Sequence, residues 1–309
     1  MTGYDIIGDI HGQYDKLEGL LRQLGYREQQ GAWRCAGRQA IFVGDLIDRG
    51  PAQLRTVDTV RSMVEAGTAL CIMGNHEFNA IAWTVPDPER PGEYLRPHEK
   101  PSNRHQHAAF LAEVEGTPEH RAIIDWFRTL PLRLDLGEIR VVHACWHEPS
   151  LGHLNDQLQT GKPIHDDLML TASRRGHADF AAVEAVCKGL EVQLPEGLSF
   201  LDKGGTHRHE ARIRWWAPEL RTYRQAAVGP PDLVDRVPDH PLPSELQLPP
   251  YAGPPVFFGH YWFTGQPEVL STRLACLDYS AAKDGPLVAY RWDGEADLTS
   301  ERLRWTGRQ

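Results

Sequence analysis

The sequence predicts an α/β fold built around a parallel sheet, and three observations lead to it. Apolar strand-like runs alternate with amphipathic helical stretches through residues 1–76. Five apolar runs along the chain end in aspartate, asparagine or histidine, mostly beside a glycine. The length, 309 residues with 41% hydrophobic side chains, suits one large α/β domain or two modest ones. A chain of this size buries about three quarters of its unfolded surface, so it needs no covalent staple.

The elements follow in order. Tyr4–Ile7 reads as a buried strand, and Tyr14, Leu17, Leu20, Leu21 and Leu24 then recur at helical spacing. Ala40–Val43 is a second strand. Leu54, Val57, Val60 and Val64 mark a second helix, with Pro51 near its first turn. Ala69–Met73 is a third strand. This β-α-β-α-β order implies parallel pairing with helices packed on the sheet. Five prolines between Pro86 and Pro101 crowd a polar stretch, so residues 84–107 are expected to form a surface excursion, a lid. One helix is expected from Ala108 to Leu130, then a strand at Ile139–Val142. Residues 150–255 read as an irregular accessory segment, helical near Phe180–Val186 and strand-like at Arg212–Trp216, with nine prolines between 229 and 255. Val256–Phe258 is another strand, and Leu274–Leu277 with Leu287–Trp292 are expected to form a closing hairpin. The expected organisation is a single domain over 1–309 carrying these two additions.

The strand ends carry the chemistry. The first run ends in Gly8-Asp9-Ile10-His11-Gly12, the second in Gly44-Asp45-Leu46-Ile47-Asp48-Arg49-Gly50, and the third in Gly74-Asn75-His76-Glu77. Ile139–Val142 ends in His143-Ala144, and Val256–Phe258 in Gly259-His260. In open parallel sheets this edge is where ligands bind. Each motif alone has a plain alternative. Gly-Asp-x-His-Gly could be a polar turn, Gly-Asn-His-Glu a helix cap, and His143 a satisfied core histidine. Five such ends in one chain make coincidence a poor explanation. Asp, His and Asn together offer hard oxygens and borderline nitrogens, suited to Mn, Fe, Zn or Mg. Asp9 and His11, two apart on an extended segment, could hold one ion. Asn75, His143 and His260 could hold a second, with Asp45 bridging both. Two ions about 3.5–4 Å apart are suited to in-line attack on phosphorus.

These five motifs resemble the calcineurin-like metallophosphoesterases. Within them they are similar to the branch holding the Ser/Thr phosphoprotein phosphatases, the bacterial dinucleoside tetraphosphatases and the phosphatase module of bacterial RNA-end-healing enzymes. The resemblance covers residues 1–150 and about 255–295. It implies a four-layer α-β-β-α sandwich of two mixed sheets flanked by helices. It also implies hydrolysis of phosphoesters by a metal-bridging hydroxide. Asp9 and His11 would bind the first ion, Asp45 both, and Asn75, His143 and His260 the second. The expected cofactor is two divalent ions, Mn²⁺ first, with Fe, Zn, Ni or Co as alternatives. His76 would donate a proton to the leaving group, oriented by Asp48, and Arg49 would clamp phosphate oxygens as a bidentate fork. A second phosphate-binding arginine is expected from the middle region, with Arg208 and Arg212 as candidates beside the alternative of a solvated face. The Ser-Ala-Pro-Asn-Tyr-Cys stretch of eukaryotic-type phosphoprotein phosphatases is replaced here by Tyr261-Trp262-Phe263-Thr264. That difference tells against a protein substrate.

Composition narrows the rest. With 33 basic and 42 acidic side chains and a net charge of -9, broad binding to nucleic-acid backbones or anionic membranes is not expected. The five cysteines are widely spaced, so neither a disulfide framework nor a zinc knuckle is indicated. No secretory leader pattern and no membrane-length apolar run is read, and the expected setting is a cytoplasmic monomer. No Gly-x4-Gly-Lys-[Ser/Thr] loop indicates a fused kinase. His105 and His107 could form a third metal site, although a solvated lid is the expectation. His165-Asp166-Asp167 reads as a helix start, and Trp215 and Trp216 as packing residues. The expected substrate is a small phosphorylated molecule of nucleotide, phosphomonoester or polyphosphate type. Phosphoproteins and RNA ends are alternatives, as is a catalytically silent binding module.

Overall fold

The computed structural model describes residues 3–155, 163–201, 207–229 and 231–307. Two compact units are present, residues 1–187 with 254–309, and residues 188–253. The first unit opens with the expected alternation: β1 (Gly3–Ile7), α1 (Tyr14–Leu24), a hairpin of β2 (Arg27–Gln29) and β3 (Ala32–Arg34), β4 (Arg38–Phe42), α2 (Gln53–Glu65) and β5 (Ala69–Cys71). Strands β1, β4 and β5 pair in parallel, with Ile6 opposite Ile41 and Ile41 opposite Leu70. Helix α1 buries the five residues that predict it and stops at Gly25, which takes a left-handed conformation.

The middle of the chain differs from expectation. Helix α3 (Asn75–Thr84) starts at the end of β5. The single helix expected from Ala108 to Leu130 is two, α4 (Pro101–Val114) and α5 (Pro118–Phe127). The break has a local cause: Gly116 turns the backbone at φ 80, the Thr117 hydroxyl accepts from the His120 amide, and Pro118 occupies the first turn. β6 (Arg133–Asp135), β7 (Arg140–Val142), α6 (Glu148–Asn155), α7 (Asp166–Ala172) and α8 (Ala178–Lys188) follow. His165 caps α7, as its sequence indicates.

The second unit is built from β8 (Glu191–Gln193), β9 (Phe200–Leu201), β10 (His207–Arg208), β11 (Glu210–Ile213), α9 (Tyr223–Ala226), β12 (Ala227–Val228) and α10 (Pro231–Arg236). Val192, Ala211, Ile213, Ala227 and Leu233 belong to a core of its own. The strand expected through Trp216 stops at Ile213. Trp215 is buried, in edge contact with Trp216.

The chain then returns to the first unit with β13 (Val256–Phe258), β14 (Leu274–Cys276), β15 (Val288–Trp292) and β16 (Leu303–Trp305). The expected closing hairpin does not form. β14 runs parallel to β13 in a four-stranded sheet ordered β14-β13-β7-β6, whereas β15 joins a five-stranded sheet ordered β16-β15-β1-β4-β5. Two adjacent apolar runs look alike whether they pair or part, and here each sheet needs one to cover its edge. One core joins the sheets: Ile6, Ile41 and Tyr290 from the first meet Val141, Phe257 and Ala275 from the second. Outside the second sheet, α6 is tied on by Arg133 to Asn155 and Arg140 to Glu148. The result is the expected α/β sandwich of two mixed sheets with helices outside.

Candidate active site

The five polar strand ends meet at one edge, stitched by backbone hydrogen bonds. The His11 amide donates to the Asp45 carbonyl, and the Gly259 amide to the His143 carbonyl. The loops are tight. Six non-glycine residues with positive φ lie in them, His11, Asp45, Asp48, Arg49, His260 and Trp262, and a seventh, Ser280, lies in the loop after β14 that packs beside them. Such conformations cost about 1–3 kcal/mol each and persist only where surroundings impose them. Two glycines show why the motifs need no side chain there. A Cβ on Gly74 would lie 2.2 Å from the Asp45 carboxylate, and one on Gly259 would lie 1.9 Å from that of Asp9.

Asp45 stands at the centre, 2% exposed. One carboxylate oxygen is 3.3 Å from His143 Nε2 and the other 3.6 Å from His11 Nε2. Asn75 Oδ1 is 3.3 Å from His143 Nε2. His11 donates Nδ1–H to the Ile47 carbonyl and His143 donates Nδ1–H to that of Val43, which points each Nε2 at Asp45. Asp45, His143 and His260 can direct one ligand atom each to a common point, as can His11, Asp45 and His76. Asp9 is held by the His260 amide through one oxygen, while its other oxygen and His11 Nε2 are buried without a hydrogen-bond partner. Burial, with Asp278 and Asp45 nearby, pushes the Asp9 carboxyl well above the usual range. A buried cluster of carboxylate oxygens and imidazole nitrogens, some without a hydrogen-bond partner, fits divalent cations.

Beside this cluster lies a second one. His76 Nδ1 is 2.5 Å from one oxygen of Asp48, and His107 Nδ1 is 2.8 Å from the other. Burial alone would raise the Asp48 carboxyl, but the two histidines hold it below the usual range. His107 is 2% exposed, so the expectation of a solvated lid fails for it. Residues 84–107 read as a surface excursion, yet from Pro101 they form α4, which turns His107 inward while His105 stays exposed. The Arg49 guanidinium lies 4.1 Å over the Trp262 ring.

Three further residues escaped the sequence reading. Glu77, fully buried, accepts from the amides of Asp45, Leu46 and Gly74 and so ties two motifs together. Asp278 follows β14 and accepts from the amides of Trp262 and Ser280, fixing the loop under Arg49. It obeys the same strand-end rule as the other five. Trp262 had no signal beyond its place after His260. Arg208 on β10 is exposed and Arg212 on β11 half-buried, and both belong to the second unit.

Comparison with known proteins places these residues in context. A family model of calcineurin-like phosphoesterases matches residues 4–186. An asymmetrical bis(5'-nucleosyl)-tetraphosphatase of Oceanobacillus iheyensis is 29% identical over 53% of this chain and 70% of its own. One of Geobacillus thermodenitrificans is 45% identical over 50% of this chain, and this chain spans 62% of its length. A symmetrical bis(5'-nucleosyl)-tetraphosphatase of Vibrio cholerae is 29% identical over 95% of this chain and 96% of its own.

Proposed function

The chain belongs to the calcineurin-like phosphoesterase family, and from this we propose that it hydrolyses nucleoside polyphosphates of the bis(5'-nucleosyl) tetraphosphate type with two divalent ions, Mn²⁺ first. The observation that carries the reading is the position of Asp45, with one carboxylate oxygen toward His143 and the other toward His11. Asp9, His11 and Asp45 would hold one ion, and Asp45, Asn75, His143 and His260 the other. Bound there, the ions supply an activated water and charge neutralisation at phosphorus. The protein's own groups do the rest. Arg49, steadied by Trp262, would grip the equatorial oxygens. As the water oxygen bonds to phosphorus, the bridging P–O bond breaks and its electron pair stays on the leaving oxygen. His76 donates a proton there, and the proton lost by water passes to solvent. Asp48 and His107 keep the His76 ring in line.

A second reading of one residue has support too. His76 Nε2 lies 3.8 Å from Asp45, within reach of the His11 group, so it could be a metal ligand. The test of the function is turnover by purified, Mn²⁺-loaded protein of a bis(5'-nucleosyl) tetraphosphate, an aryl phosphate and a phosphopeptide, with products identified by phosphorus NMR. The reading expects the tetraphosphate to have the highest kcat/KM, and product identity gives symmetrical or asymmetrical cleavage. Preference for the phosphopeptide would reject it.

A further inference from the structure

The segment between α3 and α4 brings a cation to the edge of the site. Arg96 is fixed by its amide, which donates to the Ala82 carbonyl of α3, the helix that begins with Asn75 and His76. Its guanidinium Nη2 donates to Gln106 Oε1 at 2.5 Å. With that oxygen engaged, the Gln106 amide nitrogen faces His76, 3.4 Å from Nε2. Arg96 Nε is buried with no hydrogen-bond partner, and among the described residues no carboxylate lies within ion-pair distance of the guanidinium. Burial pulls the Arg96 pKa down, with Asp48 and Glu184 acting against it. Arg96 is half-buried, and its buried, unpaired Nε–H costs free energy unless an acceptor joins it, which an anion does best.

The surroundings hold this cation still. His98 stacks between Trp83 at 3.8 Å and Tyr94 at 4.2 Å, and its Nε2–H donates to the Trp83 carbonyl. Asp87 of the same segment pairs with Arg174. The proline-rich stretch is therefore packed on α3. Arg49 lies against Trp262, whereas Arg96 reaches His76, the proposed proton donor to the leaving oxygen, through Gln106.

We infer that Arg96, with Gln106, binds a phosphate of the leaving group and selects substrates whose leaving oxygen belongs to a phosphate over simple alkyl or aryl esters. The inference rests on the polyphosphate reading above. In either mode of tetraphosphate cleavage the leaving group is a nucleotide that ends in phosphate, and the electron pair of the broken bond comes to rest beside Arg96. A guanidinium matches that charge as a planar fork.

The test compares Arg96→Gln and Arg96→Lys with the unaltered Mn²⁺-loaded protein. Two quantities are read: kcat/KM for a bis(5'-nucleosyl) tetraphosphate and for p-nitrophenyl phosphate, and the Ki of inorganic tripolyphosphate against p-nitrophenyl phosphate hydrolysis. Loss of a charge-assisted contact should lower tetraphosphate kcat/KM by about 10- to 150-fold and raise the tripolyphosphate Ki comparably. Arg96→Lys should recover part of both, and p-nitrophenyl phosphate turnover should change by less than about 3-fold, since its leaving group carries no phosphate. Equal losses on both substrates, or an unchanged tripolyphosphate Ki, would overturn the inference and leave Arg96 as support for His76. If the unaltered protein turns over no tetraphosphate yet tripolyphosphate inhibits through Arg96, the substrate reading fails and the Arg96 site stands.

Discussion

At the residue scale, adjacent side chains on one helix turn face different partners. Asn75 faces His143, whereas His76 is bound through Nδ1 to Asp48. A general acid matters only as far as the leaving oxygen needs a proton. His76→Asn should therefore keep both ions and lose about 10²–10⁴-fold on alkyl phosphates, with a markedly smaller loss on p-nitrophenyl phosphate. Asp48→Asn should follow the same trend more weakly. The measurement is kcat against leaving-group pKa at saturating Mn²⁺, with metal content by atomic spectrometry. A drop that is uniform across leaving groups and accompanied by lost metal would make His76 a ligand. Trp262 offers a separate check. Its ring supports Arg49, a contact worth about 0.5–2 kcal/mol. Trp262→Ala should raise KM for every phosphoester by a few-fold to about 30-fold, in line with that energy, and leave metal content unchanged. Unchanged KM would mean that Arg49 needs no such support.

At the element scale, the strand ends are held in register by buried polar groups. Glu77 accepts three amide donors from the loops after β4 and β5. Glu77→Ala strands all three, at about 1–3 kcal/mol for each buried donor left unsatisfied. The expected outcome is a loss of several kcal/mol in denaturant-measured stability together with weaker metal binding, because Asp45 sits in that loop. Stability within 1 kcal/mol (roughly the effect of a surface change) would contradict this. Much of this scale is legible in sequence. Strands β1, β4, β5, β7 and β13 and the residues at their ends follow from apolar runs terminated by glycine or, at β7, directly by His143, which is a local pattern. The pairing of β14 and β15 is not local: both runs are apolar, and only the three-dimensional need to cover two sheet edges separates them. The second half of α4 falls inside the helix expected from Ala108, but its first half does not: the buried face begins only at His107 and continues through Phe110, Leu111 and Val114, and Pro101–Gln106 carry no apolar residue. Arg96 and Gln106, single polar residues, gave no periodic signal.

At the scale of the whole molecule, one core couples the two sheets, and the site spans their shared edge. Asp9, His11 and Asp45 come from the five-stranded sheet, His143 and His260 from the four-stranded one. Phe257 lies fully buried between the sheets, its ring 5.0 Å from that of Tyr290. Phe257→Ala should cost about 3–5 kcal/mol of stability, as for other large core deletions. No helix among the described residues is long and apolar enough to cross a membrane. Because ions would bridge ligands from both sheets, metal should also tighten the fold. At a concentration 100 times its Kd, one ion adds about 2.7 kcal/mol to stability, so Mn²⁺ should raise Tm by several degrees in the unaltered protein and by less in Asp45→Asn. The most direct test of the central claim is the stoichiometry of Mn²⁺ binding, measured by calorimetry on metal-stripped protein and on its Asp45→Asn variant, with turnover of a bis(5'-nucleosyl) tetraphosphate followed in parallel. A shared Asp45 predicts two ions per chain, restored activity only when both are bound, and both affinities weakened together in the variant. One ion per chain, or a variant that loses one ion and keeps the other at full affinity, would contradict it.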